Sequence, residues 1–309
     1  MPALYTIRLL FNLIPAIMIK AARGFSAKIT GDKMLFDNHM HTSWSGDSEA
    51  DPHDMIQSAK NRGLSGITIT DHLDWDFSDM PHTFDLDIEN YFPCIKSLAE
   101  DVSDSSFTML TGLELGLQTH LADRHRKLLS EYHPDFVIGS IHQVDGKDPY
   151  FDTFWEGKDY KSTYERYFEI TLDNIRAFSG FDSLGHLDYI SRYGQQAALK
   201  NANNTGESAL NYDDYNELID EILLFLIRHD KALEVNTAPY RHNLPEPNPS
   251  RRILQRYHEL GGRLITTGAD AHTPSDIAIG FDTLKDLLKN AGFSSFFVYK
   301  ERKPIEYPL

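Results

Sequence analysis

Histidines and carboxylates fall along this chain in short packets that suit divalent-metal chemistry. The packets read D-N-H-M-H (37–41), T-D-H (70–72), G-L-E (112–114), G-S-I-H (139–142), G-H-L-D (185–188) and G-A-D-A-H (268–272). They offer His39, His41, His72, Glu114, His142, His186, Asp270 and His272, and Asp47 stands just after the first packet. Imidazole with carboxylate favours zinc, iron or manganese over calcium or magnesium. The only cysteine, Cys94, lies in none of the packets, so no thiolate competes. His39 and His41 are two residues apart, as are Asp270 and His272. On a strand that spacing puts both side chains on one face, where both can reach one ion.

A histidine alone at a strand end is ordinarily a surface or core residue. A set in register with successive strand ends is not explained that way. His53, His82, His120, His125, His133, His229 and His258 lie on expected helices or loops outside any packet and are read as solvated. His242, beside Arg241, stays open.

The elements that must position these packets alternate between strand and helix. Strands are expected at 35–41, 66–72, 108–116, 136–144, 183–190, 232–237 and 263–272, with a further one at 295–300. Helices are expected at 51–63, with Asp51 as cap, Pro52 at the first position and Gly63 as stop, and at 88–102, 119–132, 162–178, 215–230, 249–262 and 281–292. Ser162 and Glu165 fit a capping box, and Asn248 reads as the cap before Pro249. Seven strands separated by helices imply a parallel, barrel-like sheet. In such barrels chemistry sits at the C-terminal strand ends. Six of the seven strands end in a packet, while A-L-E-V-N-T ends in Asn236 with Arg241 shortly after. Asp37, Asp71 and Asp188, each adjacent to or two residues from a packet histidine, are expected to receive the outer N–H of a metal-bound imidazole.

The chain has 309 residues, no linker-like stretch and no repeat, so residues 34–309 read as one domain. The formal charge of −16 lacks the basic footprint of a nucleic-acid binder. Three divalent ions would add about +6 at the packets and make that locale positive within an acidic protein. A single cysteine excludes an intramolecular disulfide and fits a reducing, cytoplasmic setting. Residues 1–33 are expected to be an extension: a targeting segment, a surface helix, or an over-long gene start ahead of Met34. Their apolar run at 9–19 is too short for a stable membrane span.

Taken in order, H-x-H-T (39–42), Asp47, T-D-H (70–72), Glu114, S-I-H (140–142), G-H-L-D (185–188) and D-A-H (270–272) resemble the PHP family, named for polymerase and histidinol phosphatase domains. The resemblance spans residues 35 to 300, and the chain is most similar to the histidinol-phosphate phosphatase branch in G-S-I-H-Q-V-D-G (139–146), G-H-L-D-Y-I-S-R-Y-G (185–194) and E-V-N-T-A-P-Y-R (234–241). It implies a distorted (β/α)7 barrel with the metal site at the C-terminal strand ends and about three divalent ions. One ion would take His39, His41, Glu114 and Asp270. A second would share Glu114 and take His142 and His186. The third would take Asp47, His72 and His272. Asp47 departs from the pattern, since many relatives carry histidine there.

The resemblance also implies Arg192 and Arg241 as phosphate ligands, because a guanidinium fork matches phosphate oxygens. Hydrolysis of a small phosphomonoester, L-histidinol phosphate above others, would then use a metal-activated water with Glu114, Asp270 and His272 at the reaction centre. His242, Asp270 and a water ligand all stay open as the acid for the leaving alcohol. The rival readings are a PHP-type phosphoesterase acting on nucleotides or nucleic-acid 3′ ends, and a non-catalytic metal-binding module.

Overall fold

The computed structural model describes residues 36–200 and 210–309, with the backbone alone for 198–200. The expected extension at 1–33 lies outside the described residues. The parallel strands are β1 (Phe36–Asp37), β2 (Gly66–Ile69), β3 (His72–Leu73), β4 (Thr108–Gly116), β5 (Phe136–Ser140), β6 (Ser183–Leu184), β7 (Ala232–Asn236) and β8 (Ile265–Gly268). They pair in the order β1-β2-β4-β5-β6-β7-β8, and β3 continues the line of β2 along β4. The segments after β1 and β8 close the ring: Asn38 N donates to Thr267 O at 3.0 Å and His41 N to Ala271 O at 2.8 Å. The result is a distorted (β/α)7 barrel.

Parallel strands covered by helices are buried on both faces, and β2, β5, β7 and β8 are buried along their whole length. The covering helices are α1 (Pro52–Asn61), α2 (Ile88–Val102), α3 (Ala122–Glu131), α4 (Tyr160–Ala177), α5 (Ile190–Lys200), α6 (Asn216–Arg228), α7 (Arg251–Glu259) and α8 (Phe281–Asn290). Helix α1 starts as expected, with the Asp51 carboxylate accepting from His53 N and Pro52 in the first turn. Among the described residues no helix is long and apolar enough to cross a membrane.

Several local expectations are corrected. Helix α4 begins two residues early because Asp159, not Ser162, caps it by accepting from Ser162 N. Helix α7 begins at Arg251 after Ser250, so Asn248 is not its cap. The expected strands at 35–41 and 183–190 shorten to two residues each, because the packets that follow turn inward. Helix α5 and the final strand β10 (Lys303–Pro308), antiparallel to β9 (Ser295–Lys300), were not expected.

Candidate metal centre

The packets converge. Glu114, near the end of β4, is buried at the middle of the mouth. Its Oε2 lies 3.1 Å from His39 Nε2, 3.4 Å from His41 Nε2 and 3.1 Å from His72 Nδ1. Its Oε1 lies 3.0 Å from His186 Nε2 and 3.3 Å from His142 Nε2. Asp270 Oδ1 is 3.3 Å from His41 Nε2 and 3.8 Å from His39 Nε2. Asp47 Oδ2 stands 3.1 Å from His272 Nε2 and 3.6 Å from His72 Nε2. Three groups have all their donor atoms within 4.8 Å of one another: His39–His41–Asp270, His72–Glu114–His142 and His41–His72–His272. Thus all nine expected residues come together, and His72 lies between two groups.

Four rings are locked by their outer nitrogen. His39 Nδ1 meets Glu234 Oε1 at 2.5 Å, and His142 Nδ1 meets Asp74 Oδ1 at 2.6 Å. His272 Nδ1 meets the Asp270 carbonyl at 2.9 Å. His41 Nδ1 meets Ser45 Oγ at 3.1 Å, and Ser45 gives its own proton to Asp71. Each partner accepts, so each Nδ1 donates and each Nε2 turns a lone pair inward. There the lone pairs face one another and carboxylate oxygens; His39 Nε2 and His41 Nε2 are 3.1 Å apart. Acceptor facing acceptor at that distance requires a cation or a proton between them. Glu114 Oε2 is itself buried with no hydrogen-bond partner. The residues present therefore fit divalent ions.

The electrostatics follow the same logic. Burial would raise the Glu114 carboxyl, but His39, His72 and His142 outweigh it and hold it well below the usual range. Burial pulls His39 down, yet Glu234, Glu114 and Asp270 keep it well above an ordinary histidine. Its neighbour His41 goes the other way, to about 3, through burial and the adjacent His72 and His272.

Two supporting carboxylates were missed and three misassigned. Glu234 points inward from β7, accepting from His39 and, at 2.9 Å, from His186 N. Gly268 makes room for it: a Cβ there would sit 2.3 Å from His39 Cβ and 2.8 Å from Glu234 Oε1. Gly116 does the same for Asp74, whose Oδ1 would lie 2.0 Å from an added Cβ. By contrast Asp37 accepts from the backbone N–H groups of His39, Ala269 and Ala278 and helps close the barrel. Asp71 ties down the loop after β1 through Thr42 and Ser45. Asp188 accepts from Asn248 and from Ser250 N rather than from His186.

A cavity of about 560 Å³ opens over the cluster. Asp47, His72, His142, His186, Asp270 and His272 of the cluster line it, together with Arg192, Arg241 and His242. Asp148, Tyr150, Tyr189 and Tyr193 line the cavity as well. The two arginines differ. Arg241 Nη1 donates to the Asp270 carbonyl at 2.7 Å and pairs with Asp276 at 3.4 Å. Arg192 is 4% exposed, donates to the neutral Asn248 Oδ1 at 3.1 Å, lies 5.5 and 5.8 Å from the ring centroids of Tyr189 and Tyr193, and among the described residues has no hydrogen-bond partner on Nε.

Fold and site together define a (β/α)7 barrel whose mouth gathers a divalent-metal ligand cluster beneath an open cavity. The PHP domain matches residues 37–238, and the chain belongs to the PHP family. A relative from Clostridium acetobutylicum, named probable histidinol-phosphatase, is 33% identical over 268 residues, covering 86% of this chain and 98% of that protein. The histidinol-phosphatase of Lactococcus lactis is 30% identical, covering 86% and 95%. A solved structure of the Lactococcus lactis histidinol phosphate phosphatase, complexed with zinc, L-histidinol and phosphate, superposes with a TM-score of 0.77 at 28% identity, covering 88% of this chain and 98% of that one. A Listeria monocytogenes structure, TM-score 0.67 at 20% identity over 80% and 99% of the two chains, shares the fold.

Proposed function

We propose that this protein is a metal-dependent phosphomonoester hydrolase whose substrate is L-histidinol phosphate, released as L-histidinol and phosphate. The observation that carries it is Arg192. A buried guanidinium is costly unless an anion meets it; among the described residues this one has no carboxylate in ion-pair range, only the Asn248 amide and the rings of Tyr189 and Tyr193, and it lines the cavity of the metal-ligand cluster. A phosphate seated there would supply the missing charge.

About three divalent ions are proposed, zinc, iron or manganese. His39, His41, Glu114 and Asp270 would hold one. Glu114, His142 and His186 would hold the second, and Asp47, His72 and His272 the third. Ions so placed lower the pKa of a water and offset charge on the phosphate oxygens. The chain's own share is orientation. Glu234, Asp74, Ser45 and the Asp270 carbonyl fix four imidazoles in the tautomer that presents Nε2. Glu114 and Asp270 stay ionised. Arg192 and Arg241 bind non-reacting phosphate oxygens. Asp148 and the aromatic rings that also line the cavity match a cationic amine and an imidazole. Burial raises Asp148 to about 6, and a bound cation would hold it ionised. The free thiol of Cys94 accords with a cytoplasmic enzyme.

Metal-reconstituted protein should be assayed on L-histidinol phosphate, a nucleoside monophosphate and a single-stranded oligonucleotide. The reading expects kcat/KM highest for L-histidinol phosphate. Preference for the nucleotide or oligonucleotide would reassign it within the PHP phosphoesterases. No turnover of any of them would favour a non-catalytic module.

A further inference from the structure

Asn248 is buried beside Arg192, and its surroundings leave its amide one orientation. Nδ2 donates to Asp188 Oδ1 at 2.5 Å and to the Asp188 carbonyl at 3.3 Å. Asp188 accepts on its other oxygen from Ser250 N at 2.9 Å. With Nδ2 committed to acceptors, Oδ1 must face Arg192, which donates to it from Nη2 at 3.1 Å. The amide therefore sits between a carboxylate and a guanidinium that would otherwise attract each other.

The backbone of the same residue is tied to the metal centre. Asn248 N donates to Asn236 O at 2.9 Å, and Asn236 N to Asn248 O at 2.7 Å. The side chain of Asn236 in turn donates to Glu234 Oε2 at 3.2 Å and to Asp270 Oδ2 at 3.3 Å. Glu234 holds His39, and Asp270 belongs to the cluster. A continuous set of hydrogen bonds thus runs from the arginine to two residues at the metal centre. Behind Arg192 a second cavity of about 110 Å³ is lined by Asp188, Ser191 and Asn248 among others. Without Asn248 the guanidinium has space to move into there, and Asp188 to pair with.

From this geometry we propose that Asn248 is a positioning residue: it holds the Arg192 guanidinium at a fixed distance from the metal centre and keeps Asp188 from neutralising it. The proposal rests on the reading of Arg192 as a phosphate ligand. A neutral amide transmits position without lending charge, so the full guanidinium charge stays available to the substrate. A carboxylate at 248 would make the ion pair that the amide prevents.

A double-mutant cycle tests it, read by kcat/KM for L-histidinol phosphate and by inhibition with inorganic phosphate. Metal content and thermal unfolding are followed for every variant. Asn248→Ala should weaken both substrate use and phosphate inhibition by about 10-fold with metal content unchanged, and cost less than about 3-fold in the Arg192→Ala background, because contacting residues are not additive. Asn248→Asp should raise KM and the inhibition constant for phosphate more than it lowers kcat. Asn248→Ser serves in the same cycle if the alanine variant does not fold. Equal losses from Asn248→Ala in both backgrounds would mean that it acts only on the fold, and the proposal would fall while the reading of Arg192 stood. Unaltered kinetics and phosphate inhibition in Arg192→Ala itself would overturn that underlying reading, and the proposal with it.

Discussion

Arg302 and Arg192 stand at opposite ends of the same barrel and differ in what they meet. Arg302, at the N-terminal end of the strands, donates through Nε to the buried Asp182 carboxylate and through Nη2 to the Gly180 carbonyl. Its backbone N–H reaches the Asp135 carbonyl, so the β9–β10 hairpin is pinned beneath the barrel with its charge matched. Arg192, at the C-terminal end, is the more deeply buried and, among the described residues, has no carboxylate in ion-pair range. The histidines divide in the same way. Four of the six mouth rings have a partner on the outer nitrogen and a crowd of acceptors on the inner one, which no purely structural role requires. Completed charge pairing marks where the fold is being held, and pairing left open marks where a ligand completes it.

Breaking the mouth at its most shared point should have the largest effect. Glu114 is within 3.4 Å of five imidazoles. Glu114→Gln should lower kcat/KM by more than the ~100-fold upper range seen for supporting partners and reduce bound metal in elemental analysis. The exposed-face control His133→Ala should change neither. Next comes the arginine pair. Arg192→Ala should cost about 1.5–3 kcal/mol of transition-state binding, roughly 10- to 150-fold in kcat/KM, with metal content unchanged, and Arg192→Lys should recover only part. Arg302→Ala should leave kcat/KM near wild type and instead lower thermal stability by about 1–3 kcal/mol, because Asp182 loses a charged partner. If the two substitutions produce the same kind of loss, the contrast between the ends is wrong. Glu234→Gln follows, with a loss of about 10- to 100-fold in metal affinity or activity, since the His39 ring would lose the carboxylate that sets its tautomer.

How much of this could be read from the residues depends on distance along the chain. The convergence of the nine residues was legible because a barrel places successive strand ends on one rim, so packets far apart in sequence share a register. Their supporting partners were not. Adjacency suggested Asp37, Asp71 and Asp188, yet a strand end turns its neighbours away from its own histidine and toward the next strand. The true partners arrive from elsewhere: Glu234 from β7 for His39 just after the first strand, and Asp74 from beyond β3 for His142. Alternation in A-L-E-V-N did place Glu234 on the face of Asn236, and glycines at 116 and 268 marked the space that these carboxylates needed. Without coordinates, neither sign says which imidazole is served.

His125 was misread for a related reason. Its helical setting suggests a solvated ring, but it lies on the stripe with Ala122 and Leu128, is 1% exposed, and among the described residues has no hydrogen-bond partner on either ring nitrogen. Trp75 and Phe178 pack against it. Burial lowers its pKa to about 4, so the folded protein keeps it neutral over a range in which the unfolded chain binds a proton. Stability linked to His125 is therefore complete above the ordinary histidine pKa of about 6.5 and declines as pH falls toward 4. His125→Leu should flatten that part of the stability–pH curve and leave kcat/KM within about 2-fold, the smallest functional effect expected of any change here. An unchanged curve would show that His125 contributes nothing to acid sensitivity.

The claim on which the rest depends is that the converging lone pairs around Glu114 hold several divalent ions and that turnover needs them. Protein stripped with a chelator and titrated with zinc or manganese can be followed at once by elemental analysis and by phosphate release from L-histidinol phosphate. The account predicts no turnover in stripped protein and full activity only as occupancy nears about three ions per chain, the number that nine ligands with one shared carboxylate can hold at roughly three to four protein donors each. Saturated binding at one ion or fewer, or full turnover in metal-free protein, would contradict it.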